Sequence, residues 1–156
     1  MDKKNDIFTF LSFTLGKEEL AVDVKYVVKI LELRSITQVP QSPEYLKGII
    51  NIEGKVIPVF NAYYKFGFKE PEDQTGSVII ILNIPIENDQ WEVGIVVEKA
   101  NEVFEVSSGE IQDYPALGDE DYKNLITGVI KRNDQFILIL DAAKMFEKEE
   151  INKLNV

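Results

Sequence analysis

Apolar and polar residues alternate with a period of two along most of the chain, which predicts a protein built mainly from β-strands. In FTFLSFTL, Leu11, Phe13 and Leu15 fall on one face of a strand and Ser12 and Thr14 on the other. Gly16, Lys17 and Glu18 supply a hairpin turn. ELAVDV alternates again, with Leu20, Val22 and Val24 against Ala21 and Asp23. The period then changes. Val24, Val27, Val28 and Leu31 stand at i, i+3, i+4 and i+7, which predicts a short helix, with Ile30 and Leu33 on a second apolar edge.

QVPQSPEYLKG is a connector in which Ser42 and Pro43 predict a single helical turn ending at Gly48. GIINIEGKVIPVFN follows as a hairpin turning at Glu53-Gly54, and Pro58, lacking an amide hydrogen, predicts an edge or a bulge in its second strand. KEPEDQTG is a polar loop. SVIIILNI is a strand buried on both faces, and PIENDQ turns the chain into WEVGIVV, with Trp91, Val93, Ile95 and Val97 on one face. The run from Ser107 to Asn124 is polar and irregular, an exposed loop. A second hairpin, GVIKRNDQFILILD, leads to a terminal helix capped by Asp141, with Met145, Phe146 and Ile151 inward.

The two hairpins superimpose without a gap. Between residues 48–66 and the residues 80 positions on, five of 19 pairs are identical: Gly48/Gly128, Ile50/Ile130, Ile57/Ile137, Ala62/Ala142 and Phe66/Phe146. Average composition gives about one. At an offset of 73, apolar positions coincide at Leu20/Val93, Val22/Ile95, Val24/Val97, Ile30/Val103, Leu31/Phe104 and Leu33/Val106. Two readings fit. Hairpins resemble one another because turn chemistry constrains them, or the chain holds two similar β units. Units of about five strands are too small for large private cores and are expected to pack on each other and share one, leaving grooves that suit partners or ligands.

Composition narrows the function. The 156 residues are most simply one domain, and 45% hydrophobic with 28% charged residues is globular composition. No apolar run approaches a membrane helix, and the N-terminus lacks the apolar stretch of a secretory signal. With no cysteine and no histidine, disulfides, thiolate nucleophiles and the commonest triads and zinc sites are excluded. A net charge of −10 argues against nucleic acid and anionic membranes. A cytoplasmic location fits. The acidic cluster at Asp119, Glu120 and Asp121 lacks calcium-loop spacing and reads as solvated charge. Asp23 and Asp141 follow strands, where active-site acids can stand, but no base, nucleophile or phosphate cradle accompanies them. Gly54 completes a turn, and Gly48 and Gly94 mark a bend or a close backbone approach.

From Phe8 to Phe146 the chain resembles the chemotaxis coupling-protein (CheW) family. The resemblance rests on FTLGKEELAVDVKYV, ITQVPQSPEYLKGIINIEGKVIPVFN, VGIVVEKANEV and FILILDAAKMF. It implies two intertwined five-stranded β-barrels around a common core, with short helices and a C-terminal helix. Sub-barrels are expected at roughly residues 16–76 and 77–141, with strand 8–15 shared and the helix at roughly 142–153. It further implies a stand-alone adaptor without catalytic activity or cofactor, which links the cytoplasmic tip of a methyl-accepting chemoreceptor to the regulatory domain of the chemotaxis histidine kinase. The rival reading is a ligand-binding or enzymatic β-barrel.

Two departures from the family pattern stand out. Where the family writes N-L-R-G, this chain has Asn51-Ile52-Glu53-Gly54, and where it writes V-x-E-I, here stand Val27-Val28-Lys29-Ile30. The usual charges are exchanged. An internal ion pair written backwards, a partner with exchanged charges, a different receptor or none, and two unrelated solvated side chains all fit. The resemblance implies a receptor-binding set of Val27, Lys29, Ile30, Asn51, Glu53, Gly54, Val97 and Val103. It also implies a kinase contact at one barrel end, with Gly48, Pro58, Asn61, Tyr63 and Phe66 as candidates. Asn61 and Glu98 each stand where the family has aspartate.

Overall fold

The computed structural model describes residues 6–115 and 123–146. Among these residues ten strands form two five-stranded sheets. They are β1 (Ile7–Leu15), β2 (Glu18–Asp23), β3 (Val27–Glu32), β4 (Leu46–Ile52), β5 (Lys55–Phe60), β6 (Val78–Ile86), β7 (Asp89–Val97), β8 (Lys99–Ser107), β9 (Ile126–Arg132) and β10 (Gln135–Leu140). The first sheet has the order β8-β1-β2-β10-β9 and the second β3-β6-β7-β5-β4. Short helices α1 (Ala62–Phe66) and α2 (Ala142–Met145) follow β5 and β10.

The repeat is real and extends to the hydrogen bonds. Both hairpins close with two-residue turns, fixed by Ile52 opposite Lys55 and Arg132 opposite Gln135. Both turn residues have positive φ in each case, Glu53 and Gly54 in one, Asn133 and Asp134 in the other. That conformation matches the twist of the flanking strands. The Asn61 carboxamide accepts from the Tyr64 amide and the Asp141 carboxylate from the Lys144 amide, each at 3.1 Å, so both copies cap the helix that follows. Even the lone parallel pairings correspond: Val59 with Gly94, and Ile139 with Ala21. Those are offsets of 80 and 73.

Like strands do not stay with their own repeat. The chain crosses from the first sheet to the second through a 3₁₀ turn, Val24–Tyr26, and returns at Glu98, between β7 and β8. The second sheet is therefore the continuous stretch 27–97, and the first combines 7–23 with 99–140. The sheets divide differently from the units expected at roughly residues 16–76 and 77–141: β6 and β7 join β3–β5, and β1 lies in one sheet, whereas the end near 141 coincides with the close of β10 at Leu140. Internal similarity reports which strands are alike. Which strands pair is a long-range property, and here each repeat gives its last three strands to the other's sheet. The return crossing is pinned. The Glu98 amide donates to Thr14 O at 3.0 Å, and its carboxylate accepts from Gly16 N at 2.9 Å and from the Tyr63 hydroxyl at 3.4 Å.

The strand alternation sorts side chains into three apolar clusters. Leu11, Phe13, Leu15, Leu20 and Val22 of the first sheet pack with Ile80, Leu82, Ile84, Val93 and Ile95 of the second in a shared core. Phe10, Ala21, Phe104, Ile130 and Ile139 fill the curl of the first sheet; Ile50, Ile57, Val59, Ile79, Ile81 and Val96 fill that of the second. β6 faces both the shared core and its own sheet's curl, which explains its unbroken apolar run. Gly94 stands where Ala21 stands in the other sheet, and a methyl there would lie 3.2 Å from Ile79 Cγ2, so a small residue is needed beneath the curl.

Three local expectations change. The helical stripe from Val24 is a 3₁₀ turn followed by strand β3, in which residues alternate between half-buried and exposed. Its β-branched residues, free to pair with β6, favour the strand. At Pro43 the chain makes one turn, Leu46 N to Pro43 O at 3.1 Å, and enters β4 at Leu46 without a helical turn reaching Gly48. Pro58 is not on an edge: β5 lies between β4 and β7. The parallel pairing to β7 starts at Val59, so the ladder has no need of a donor at Pro58. α2 covers Ala142–Met145, and Met145 and Phe146 are buried as expected. Ile151 and the rest of the expected helix lie outside the described residues, as does the cluster Asp119–Asp121.

Candidate interaction surface

β3 and β4 are the two edges of the second sheet, yet they come together. Thr37 and Ile49 exchange backbone hydrogen bonds of 3.0 and 2.9 Å, and Lys29 Nζ on β3 reaches Glu53 Oε1 at the β4–β5 turn, 3.7 Å away. The sheet thus curls into a half-barrel whose mouth is spanned by that ion pair. A cavity of about 250 Å³ opens there, lined by Val28, Lys29, Ile52, Glu53, Lys55 and Glu92, among others. The bend has a cause in β3. The register slips between Val27 and Lys29, so Val28 is an extra residue with no partner on β6. Such a bulge adds twist and re-aims neighbouring side chains. Val28 and Ile30 stand exposed beside the ion pair.

The first sheet repeats this design. β8 carries an extra residue between Ala100 and Val103, opposite the buried Ser12, whose hydroxyl accepts from Glu102 N at 3.2 Å and donates to Glu102 O at 3.3 Å. Glu102 on β8 then accepts from Arg132 Nε at 3.0 Å, across the mouth to the β9–β10 hairpin. Arg132 also lies over the Phe104 ring, 4.4 Å from its centre.

The residues expected at a receptor contact divide. Lys29, Ile30, Asn51, Glu53 and Gly54 gather at the β3 mouth, where the Asn51 carboxamide accepts from Gly54 N at 3.0 Å and holds the turn. Val27 is half-buried against the shared core. Val97 is wholly buried in that core and is corrected from contact to core. Val103 is exposed, but on β8 of the other sheet, matching Ile30 rather than adjoining it. The exchanged charges do pair with each other.

Among the residues expected at the kinase contact, Gly48, Pro58, Tyr63 and Phe66 are buried, and Asn61 is a half-buried helix cap. The side chains of Pro58, Asn61, Tyr63 and Phe66 are spent on the fold and the Gly48 backbone is packed against Thr37, so as direct contacts these five are corrected. Tyr63 is held neutral: burial first, then the Glu98 charge, pushes its hydroxyl well above the ordinary value of 10.0. Pro58 does line a cavity of about 490 Å³ on the outer face of the second sheet, with Lys55, Val56, Asn83, Gln90, Trp91 and Glu92. Val56 there, and Phe136 at the matching place 80 positions on, are exposed apolar residues that pattern reading passed over. The signal was present: each is an apolar residue at a hairpin's exposed, outward-facing position.

Asp23 and Asp141 line one cavity, together with Lys25 and Thr127, but both carboxylates are caps, accepting from Lys25 N at 3.0 Å and Lys144 N at 3.1 Å. Among the described residues no three acidic side chains come together as a metal site would need, and no helix is long and apolar enough to cross a membrane.

Two intertwined half-barrels with a shared core are the architecture that the motifs implied, and the CheW-like domain family model matches residues 9–150. The chain belongs to that family. It is 26% identical to the chemotaxis protein CheW of Treponema pallidum, over 99% of this chain and 91% of that one, and 28% identical to that of Klebsiella aerogenes, over 91% and 83%. Among solved structures it is similar to the scaffolding protein TtCheW from Thermoanaerobacter tengcongensis. There the TM-score is 0.81 and the identity 28%, over 93% of this chain and 91% of that one.

Proposed function

We propose that this protein is a non-catalytic chemotaxis adaptor that holds a chemoreceptor tip and the regulatory domain of the chemotaxis kinase at fixed geometry, on the cytoplasmic side of a receptor array. The observation that carries this reading is the match to the CheW-like family over nearly the whole chain, on a fold like that of a scaffolding protein. The receptor tip docks at the β3 mouth, where Val28 and Ile30 supply apolar area and Lys29 and Glu53 supply charge. The kinase regulatory domain takes the outer face around Val56 and Trp91. A rigid body with two separate surfaces couples the partners by fixing their relative position, and no reaction is required of it.

Size-exclusion chromatography of the protein with each partner fragment, alone and together, tests this. Binary and ternary complexes are expected. Ile30→Asp should abolish the receptor complex and leave the kinase complex intact, and Val56→Asp should do the reverse. Absence of both complexes with the unaltered protein refutes the adaptor reading.

A further inference from the structure

The two mouths share part of their apolar surface and invert their charges. Ile30 matches Val103, both exposed, while the exposed Val28 of the β3 mouth has Asn101 as its counterpart 73 positions on. The spanning ion pairs differ more sharply. At the β3 mouth the cation, Lys29, is on the edge strand and the acid, Glu53, on the hairpin. At the β8 mouth the acid, Glu102, is on the edge strand and the cation, Arg132, on the hairpin. The pairs also differ in how far they are closed. Arg132 and Glu102 make a hydrogen bond of 3.0 Å, and the guanidinium is further held over Phe104. Lys29 and Glu53 stand 3.7 Å apart, beyond hydrogen-bonding distance, and Glu53 is 84% exposed against 36% for Lys29. Glu53 occupies a left-handed turn position, φ +52°, where the matching residue is Asn133. Asparagine suits that conformation better than glutamate. A loose exposed pair adds little to the fold, and the turn gains nothing from glutamate. What the arrangement does provide is a carboxylate, anchored on one side and open on the other.

We propose that the polarity of these two ion pairs is the label by which a docking partner tells the quasi-equivalent mouths apart, and that the partner at the β3 mouth sets a lysine or arginine against Glu53. The occupant is a receptor tip, so this inference rests on the docking reading above; the charge it carries is what is added. A like charge placed against the wrong mouth repels, which turns a duplicated surface into a single addressed one.

Titration calorimetry with the receptor tip fragment separates the possibilities. Glu53→Lys should weaken binding at least about tenfold, and raising the salt should narrow the gap from the unaltered protein. The decisive variant is the exchange Lys29→Glu with Glu53→Lys, which keeps an internal pair and reverses its label. Binding should stay weak, and reversing the facing basic residue of the tip to an acid should restore it. Circular dichroism and thermal melting confirm that each variant is folded, and Glu53→Gln gives the neutral midpoint. If the exchanged variant binds the unaltered tip as well as the unaltered protein does, the label is wrong while docking stands. If the unaltered protein binds no tip at all, the docking reading falls and takes this inference with it.

Discussion

Gly48 and Gly128 occupy the same place in the two repeats, and their substitution by alanine gives the fold an internally controlled test. Gly48 has φ +155°, and a Cβ there would be driven into the Thr37 carbonyl oxygen, with Ile36 Cγ2 only 2.7 Å away. The obstacle is backbone, and that backbone is tied to β4 by the two Thr37–Ile49 hydrogen bonds. Relief means parting them, at about 1 kcal/mol each, on top of about 1–3 kcal/mol for holding alanine in a glycine conformation. Gly48→Ala should therefore cost about 3–5 kcal/mol. At Gly128 the φ is ordinary, and the added methyl meets Ile111 Cγ2 at 2.9 Å and Gln112 O at 3.0 Å. Overpacking of that kind costs about 1–3 kcal/mol, offset by up to about 1 kcal/mol from replacing glycine within a strand. Urea unfolding of both variants reads the difference directly, expected at about 2–3 kcal/mol in the same direction at equal m-value. Against a total stability of about 5–15 kcal/mol this is large. Equal losses, or a larger loss at Gly128, would refute the claim that the Thr37 crossing closes the second half-barrel.

Other outcomes follow from the core and the crossing. Val97→Ala should lower stability by about 2 kcal/mol and leave receptor-tip affinity unchanged; a selective loss of affinity would return Val97 to the contact surface. Tyr63→Phe removes one long hydrogen bond to Glu98 and should cost about 0.5–1 kcal/mol at neutral pH. The raised hydroxyl pKa adds a pH signature. The folded state holds that proton more tightly than the unfolded chain, so its contribution is complete below pH 10 and is lost as pH climbs above it. Alkaline destabilisation should thus be shallower in Tyr63→Phe, and identical slopes would contradict a buried neutral tyrosine. Asp141→Ala and Asn61→Ala each lose a helix cap and should cost about 1 kcal/mol apiece by thermal or urea unfolding; a loss at one alone would break the equivalence of the copies.

Much of this molecule was legible in one dimension. Alternation located eight of the ten described strands, all but β3 and β8, because a sheet with one buried face enforces a period of two, and the two repeated hairpins were marked by turn residues such as Gly54. The offsets of 73 and 80 identified the two copies, down to their caps. The failures share a cause. Val24 to Leu31 satisfies a helical period and a strand period about equally over so short a run, and pairing with β6 decided between them. Tyr63, Phe66 and Val97 are apolar side chains that look the same in sequence whether a surface or a core receives them.

Local chemistry, written into the chain, thus settled most of the strands, though not β3 or β8, together with the duplication and the absence of histidine and cysteine. Only the tertiary structure decided which sheet each strand joins, that the outer strands of a sheet curl to face each other, and that Lys29 meets Glu53 while Glu102 meets Arg132. Those outcomes depend on contacts between residues far apart in the chain, whose energies no local pattern records.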